Sequence, residues 1–428
     1  MQPPDKGAFL WSTRGLMVVL ASSVCGVGYL DRAAAGLLVV PMAEELGWSM
    51  EERGRILSAF FTGYICTQIP GGLVAQRLGP RRVLGSALAV WSLAAMSAPE
   101  AADTSPTLLF ATLFVMGLVQ GPMMPCVAAL FASWVPRTER ARAVTLTSVG
   151  GASGSVSAYY FAPWLAAIAG WRNAWRIFGL FGIGLSVVWF ILVKDRPATL
   201  SADVDEDLAH SPGKAEVKST LASLTNPMLR SGAAVAAYVA HAGQASAAYT
   251  LLLWLPTYLS SSFDLDLEEI SIYLTVPKVV EMVTAVYAGQ FADGLLRRGF
   301  TCVQVRQLCT CVSLCISVML LMLLASAPDK LFAGCCISVL FPCMSVCNAG
   351  FQAAYLDIGG KDSSLILAFG NMIATLPGIA SPIYGAWVLE ATGSWHCLFY
   401  SVACVQVFAC VFFYKNFGVV QRVDFIKV

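Results

Sequence analysis

The run Gly15–Pro41, GLMVVLASSVCGVGYLDRAAAGLLVVP, is apolar almost throughout and carries one adjacent pair of opposite charges, Asp31 and Arg32. About 20 apolar residues cross the hydrocarbon core of a bilayer, so this run predicts a membrane-spanning helix with two charges inside it. A charge at that depth costs from about 2.5 kcal/mol on insertion scales to over ~10 kcal/mol in simulation, and such residues face a bundle interior or a water-filled cavity. Neighbouring helix residues point ~100° apart, so the two cannot both aim squarely at one cavity. On one reading Arg32 sits in a central cavity that receives an anion, and Asp31 neutralises or reports on it. On the other, one of the pair snorkels outward or pairs with a neighbouring helix.

The rest of the chain agrees with a membrane setting. Of 428 residues 57% are hydrophobic and 12% charged, whereas soluble domains carry about 25% charged residues. The net charge of +1 gives no sign of a nucleic-acid partner. His210, His241 and His396 are too scattered for a metal site, and no nucleophile–base set or phosphate-cradling loop stands out. An enzyme, a catalytic residue, a metal and a cofactor are therefore not expected. Most of the 14 cysteines lie in apolar runs, where cysteine behaves as a small buried hydrophobe, so neither a disulfide framework nor a redox centre is expected. The opening MQPPDKGAFL is too short for a transit peptide, so any organelle address is expected to be absent or lost with a missing N-terminus.

Further apolar runs follow at 56–75, 83–98, 106–134, 143–169 and 174–193, then, after a polar stretch at 194–226, at 229–260, 270–291, 303–326, 331–355, 364–389 and 397–414. The expectation is an all-α membrane protein of twelve spans in two six-helix bundles, 1–193 and 227–428, joined by a loop at 194–226. Basic residues fill alternate turns: Arg77, Arg81 and Arg82; Arg137, Arg140 and Arg142; Lys194, Arg196, Lys214 and Lys218; Arg297, Arg298 and Arg306. The intervening loops are acidic, with Ala43–Glu52, Glu100 and Asp103, and Asp264 to Glu269. The positive-inside rule then puts both termini and the central loop in the cytoplasm, although Arg53, Arg55, Arg172 and Arg176 fall on the other side.

The halves echo each other. GGLVAQRLGPRRV after the second run matches AGQFADGLLRRG after the eighth, each with a glycine, a polar residue four positions on (Gln76, Asp293), then basic residues. TSVGGASGS and AFGNMIATLPG bring small residues to the fifth and eleventh runs. Small residues allow close helix approach, and repeated six-helix halves are a common transporter plan. Together these features point to the major facilitator architecture.

YLDRAAAGLLVVPMAEELGWS, SAFFTGYICTQIPGGLVAQRLGPRRVLG, LLLWLPTYL, LDIGGKDSSLILAFGNMIATLPGI and ATGSW fall in order along the chain and closely resemble the anion/cation symporter family of major facilitators. That family includes sodium/phosphate cotransporters, vesicular glutamate transporters, plastid phosphate transporters and bacterial sugar-acid transporters. The resemblance implies that Arg32 binds the anionic substrate, Asp31 takes part in proton coupling and Tyr64 lines the cavity, and it matches Asn371 to an asparagine of the eleventh helix and Asp357 to an aspartate at the cytoplasmic end of the tenth. Arg77, Arg81 and Asp293, read from the cytoplasmic-turn pattern, are expected with Asp357 to serve gating. Where typical members read Arg-Phe-Leu-Met-Gly-Leu-Gly-Glu-Gly, this chain reads LFVMGLVQG, so the second arginine is Leu113 and the glutamate is Gln120. The aspartate of the first cytoplasmic turn is Gln76, and a histidine of the tenth helix is Tyr355.

Leucine for arginine removes one of two cationic anchors, and glutamine keeps a hydrogen-bonding tip but does not titrate, so either the solute is less anionic or charge is supplied elsewhere. Lys278 and Glu281, three residues apart in TVPKVVEMVTAVYAG, are candidates for the missing cation and carboxylate, or else neutralise each other. His241 with Gln244, and the aromatics Tyr159, Tyr160 and Trp254, are lesser candidates. The expected activity is secondary active transport of a small organic or inorganic anion by alternating access, coupled to H+ or Na+. Substrate contacts are expected at Arg32, Tyr64, Gln120, Lys278 and Asn371, and coupling at Asp31 and Glu281. The alternatives are an uncoupled facilitator and a non-transporting sensor on the same scaffold. The expected partners are the anionic solute and the lipid bilayer, and the chain is expected to be a monomer in a plasma or organelle membrane.

Overall fold

In a computed structural model, residues 12–195, 227–359 and 363–424 are described; almost all are helical and none of them forms a strand. The helices are α1 (Thr13–Leu46), α2 (Met50–Leu78), α3 (Pro80–Thr104), α4 (Pro106–Gln120), α5 (Met123–Trp134) and α6 (Arg137–Leu192), then α7 (Gly232–Phe263), α8 (Leu267–Arg297), α9 (Cys302–Ala325), α10 (Lys330–Cys347), α11 (Ala353–Gly359), α12 (Ser363–Thr392) and α13 (Trp395–Asp424). A π-helical turn, Asn348–Gln352, joins α10 to α11. Beyond Asp195, the central stretch expected at 194–226 lies outside the described residues.

Among the described residues nine segments are long and apolar enough to cross a membrane. One of these, Arg142–Leu192, breaks at Gly170, whose φ of 80° ends one helix and starts the next. Helices α2 and α7 have the length but are diluted by small and polar residues such as Thr62, Gly63 and Gln68, or Gly243, Gln244 and Ser246. The count of twelve rests on adding these three to the nine.

Helix ends reach further than the apolar runs. The acidic loop expected at Ala43–Glu52 shrinks to a turn between Leu46 and Met50. Helix α1 continues through Pro41 to Leu46 and stops at Gly47, φ 69°. Ser49 and Glu52 then cap α2 reciprocally: Glu52 N donates to Ser49 Oγ at 3.2 Å, and Ser49 N donates to Glu52 Oε2 at 2.9 Å. The basic residues that oppose the charge bias are partly accounted for. Arg172 pairs with Asp103 at 2.5 Å and Arg176 with Glu100 at 2.5 Å, so two of the misplaced cations are neutralised by the acidic end of α3.

The contacts divide the chain into one unit of Met1–Ala35 with Ala59–Lys218 and another of Gly36–Ser58 with Ser219–Val428. In the first, Trp91, Trp175 and Trp189 are fully buried between α3 and α6. Trp189 Nε1 donates to Arg81 O at 2.9 Å, and Arg81 N donates to Asp195 Oδ1 at 2.8 Å. Gly79, φ 86°, turns the chain sharply enough for Pro80 to open α3 beside that carboxylate.

In the second unit the alanine-rich α7 packs against Phe351, Tyr355, Phe413 and Phe417, all fully buried. A π turn displaces one carbonyl from the α-helical ladder, and here Arg306 Nη1 donates to Ala349 O at 2.9 Å. Arg306 Nε also donates to Asp357 Oδ2 at 2.7 Å, so an arginine read as topogenic joins two helices through a mostly buried ion pair. Removing one partner of a buried pair costs about 3–5 kcal/mol, less where water reaches it. Arg306→Ala is therefore expected to lower the unfolding midpoint in detergent by several degrees, and Arg306→Lys, which loses the forked geometry, by less.

Candidate functional site

Arg32 lies on α1 one residue past the fully buried Asp31 and keeps partial solvent access, so the carboxylate and the guanidinium point apart as helix geometry requires. Three aromatic rings surround the guanidinium: Tyr29 at 4.9 Å, Phe60 at 4.8 Å and Tyr64 at 4.6 Å from ring centroid to Cζ. Tyr29 precedes Arg32 by three residues, and Phe60 and Tyr64 are four apart on α2, with their rings stacked at 5.8 Å. Each cation–π contact contributes roughly 0.5–2 kcal/mol, more when dry. The guanidinium is thus held in the membrane span without being neutralised by those rings.

The fourth wall is Gln120. Its Oε1 accepts from Arg32 Nε at 3.4 Å and Nη2 at 3.3 Å. Gln120 is fully buried, and its Nε2 has no hydrogen-bond partner among the described residues. Its position follows from close approach of α2 and α4. A Cβ on Gly117 would overlap Phe60 O, and one on Gly63 would overlap Phe114 O. Thr67 Oγ1 donates to Leu118 O at 2.5 Å across the same contact. Glycines at both facing positions let the backbones touch, which carries the end of α4 up to Arg32.

The structure therefore brings Arg32, Tyr64 and Gln120 together, with Asp31 buried alongside and its Oδ1 lacking a hydrogen-bond partner among the described residues. Tyr29 and Phe60 belong to the same cage and escaped the sequence reading, although their three- and four-residue spacings were visible. Leu113, where the resemblance calls for a second arginine, is buried on α4.

The remaining candidates fall elsewhere. Lys278 and Glu281, in the other unit, bind each other at 2.8 Å with side chains 23% and 26% exposed, and Lys278 Nζ stands 5.8 Å from the centroid of the Phe341 ring. Asn371 is exposed on α12, and Arg77 and Asp293 are exposed near the ends of α2 and α8. Arg81 Nη2 donates to Phe190 O, and Asp357 is taken by Arg306 and by Cys302 Sγ at 3.1 Å. His241 is a packed residue, with Nδ1 3.1 Å from Tyr355 Oη and its ring 4.6 Å from that of Phe351. Tyr159 and Trp254 are buried, Trp254 against Trp395, while Tyr160 is exposed.

The sequence pattern of the Major Facilitator Superfamily matches residues 21–364. A protein named probable anion transporter 4, chloroplastic, from Oryza sativa subsp. japonica is 29% identical over 376 residues, 86% of this chain and 63% of the relative. Sialin from Ovis aries is 29% identical over 378 residues, 86% of this chain and 75% of the relative. The chain thus spans less than two thirds of the rice protein. Among solved structures, a bacterial homologue of the human lysosomal transporter Spinster, inward-facing and unoccupied, superposes with a TM-score of 0.76 at 14% identity, covering 96% of this chain and 98% of that one. A D-xylose–proton symporter gives 0.70 at 14% identity, covering 94% and 97%. At that identity these two structures speak for the fold.

Proposed function

Since the chain belongs to the Major Facilitator Superfamily, we propose that it moves a small organic or inorganic anion across a membrane by alternating access, with Arg32 as the anion's anchor. The observation that carries this reading is a guanidinium inside a membrane span, caged by three aromatic faces and positioned by the neutral amide of Gln120. An anion entering there gains charge-assisted hydrogen bonds, and the buried Gln120 Nε2 offers a further donor. The name of the rice relative, probable anion transporter 4, supports the same substrate class. The proposal includes a monomer of two six-helix halves, 1–193 and 227–428, with 194–226 and both termini cytoplasmic.

Coupling to H+ or Na+ through Asp31 or Glu281 is the first form of the proposal. An uncoupled facilitator is the second, favoured by Gln120, which sets the guanidinium without a proton to exchange. Uptake into proteoliposomes of phosphate, glutamate, ascorbate and sugar acids, with and without an imposed pH or sodium gradient, tests both. Saturable uptake of one of these that follows a gradient supports symport. Uptake indifferent to either gradient supports the facilitator, and ligand binding without flux overturns transport in favour of a sensor.

Lys278 and Glu281 call for a separate cycle. If they touch the solute or the coupling ion, Lys278→Leu and Glu281→Gln each lower uptake, and the double variant does not recover. If they only neutralise each other, the single variants lose stability and the double variant regains most of it, because neither then leaves a lone partly buried charge.

A further inference from the structure

A cavity of about 840 Å³ opens in the second unit along α7, with α12 and α13 as its walls. Its floor includes Ala242 and Ser246, and its walls include Leu376 and Ala380 on one side and Val405 and Phe408 on the other. Gly243 packs so closely on Ala409 that a Cβ there would overlap the alanine, which keeps the floor shallow and smooth. At one end of the groove stands Arg230, exposed on the 3-10 turn Pro227–Arg230 that precedes α7.

The hydroxyls of the serines and threonines lining this groove are turned inward. Ser246 Oγ donates to Gly243 O at 2.7 Å, Thr250 Oγ1 to Ser246 O at 2.7 Å, Ser381 Oγ to Ser246 O at 3.5 Å and Ser401 Oγ to Leu398 O at 2.7 Å. They present hydrocarbon to the groove, which suits an alkyl chain better than a polar solute. From Arg230 to Thr250 the lining runs about 20 residues, roughly 30 Å at helical rise, longer than one leaflet of the hydrocarbon core, so the trough holds a single extended acyl chain along its length. A cation at the membrane end of an apolar trough has the charge to hold a phosphate while the trough takes the chain below it.

We propose that this groove binds one anionic phospholipid, one acyl chain between α12 and α13 and its net negative headgroup beside Arg230, where the choline cation of a zwitterionic lipid is disfavoured. The site is distinct from Arg32 and does not depend on which solute the protein carries. Native mass spectrometry of the full chain released from detergent, with phosphatidylglycerol or phosphatidylcholine of identical chains added, tests it. The expected result is one retained lipid with phosphatidylglycerol preferred. Arg230→Ala should cut that preference about fivefold, the contribution of one basic residue near a charged headgroup, while a lipid is still held. Ala380→Trp, which fills the trough from an exposed position, should expel both lipids, and Val405→Trp does the same from the opposite wall should the first variant fold poorly.

An Arg230→Ala variant with unchanged headgroup preference overturns the proposal, as does retention of the lipid by folded groove-filling variants. So does a lipid-stripped dimer that Ala380→Trp dissolves, since a second copy would then be the occupant.

Discussion

Arg32→Met is expected to abolish saturable anion uptake in proteoliposomes while the protein still folds and inserts. The substitution keeps an unbranched apolar stem in the helix and removes the guanidinium whose Cζ stands over the rings of Tyr29, Phe60 and Tyr64, and with it the charge and the donors. Truncating one partner of a desolvated, hydrogen-bonded charge pair costs about 2–5 kcal/mol or more, which is roughly 30-fold to over 1,000-fold in affinity. Arg32→Lys is expected to fall between, because an ammonium cannot donate in the fork that Gln120 Oε1 now receives. Melting curves of the purified variants check folding, and initial rates over a range of solute concentrations separate lost affinity from lost turnover. An Arg32→Met variant with the uptake of the parent removes the anchor.

The second large effect is expected from Gln120→Glu. A carboxylate at this buried position would take both Arg32 donors and compete with the incoming anion for the same cation. Apparent affinity is expected to fall by at least about tenfold, the worth of roughly 1.4 kcal/mol of added competition. Gln120→Leu removes the acceptor without adding charge, so its loss should be smaller and should come from a guanidinium that is less well fixed. In the family that the sequence resembles, this position holds glutamate and position 113 holds arginine. The two departures, to Gln120 and Leu113, cancel in charge and leave the set with the same formal +1. Leu113 and Gln120 lie seven residues, about two turns, apart on one face of α4. Adding Leu113→Arg to Gln120→Glu is therefore expected to restore part of the uptake, and measured rates of the two single variants and the double variant complete the cycle.

Much of the fold could be read from the chain because bilayer physics leaves few options: long apolar runs become helices, and glycine or proline marks their ends and kinks. The break at Gly170 and the turn at Gly79 fall between apolar runs for that reason. Helix ends such as Leu46 were less legible, since polar residues at a membrane surface prolong a helix without disturbing it. Within the site, Arg32 announced itself by its cost in a hydrophobic run. The Gly117 and Phe60 approach that delivers Gln120 did not, because it depends on which helix faces which. The same holds for Arg306. As one of several basic residues near turns it looked topogenic, and only the carbonyl offered by the π turn and the carboxylate of Asp357 show what it holds.

The anchor role can be measured at the guanidinium itself. Phenylglyoxal labels accessible arginines, and peptide mass spectrometry reads the label at Arg32, with the exposed Arg77 as an internal reference. At a solute concentration about tenfold above its dissociation constant, the site is roughly nine-tenths occupied. Labelling of Arg32 should then slow about tenfold with the transported anion, stay unchanged with its neutral analogue, and remain constant at Arg77 in both. Equal labelling of Arg32 with and without saturating anion would contradict the account.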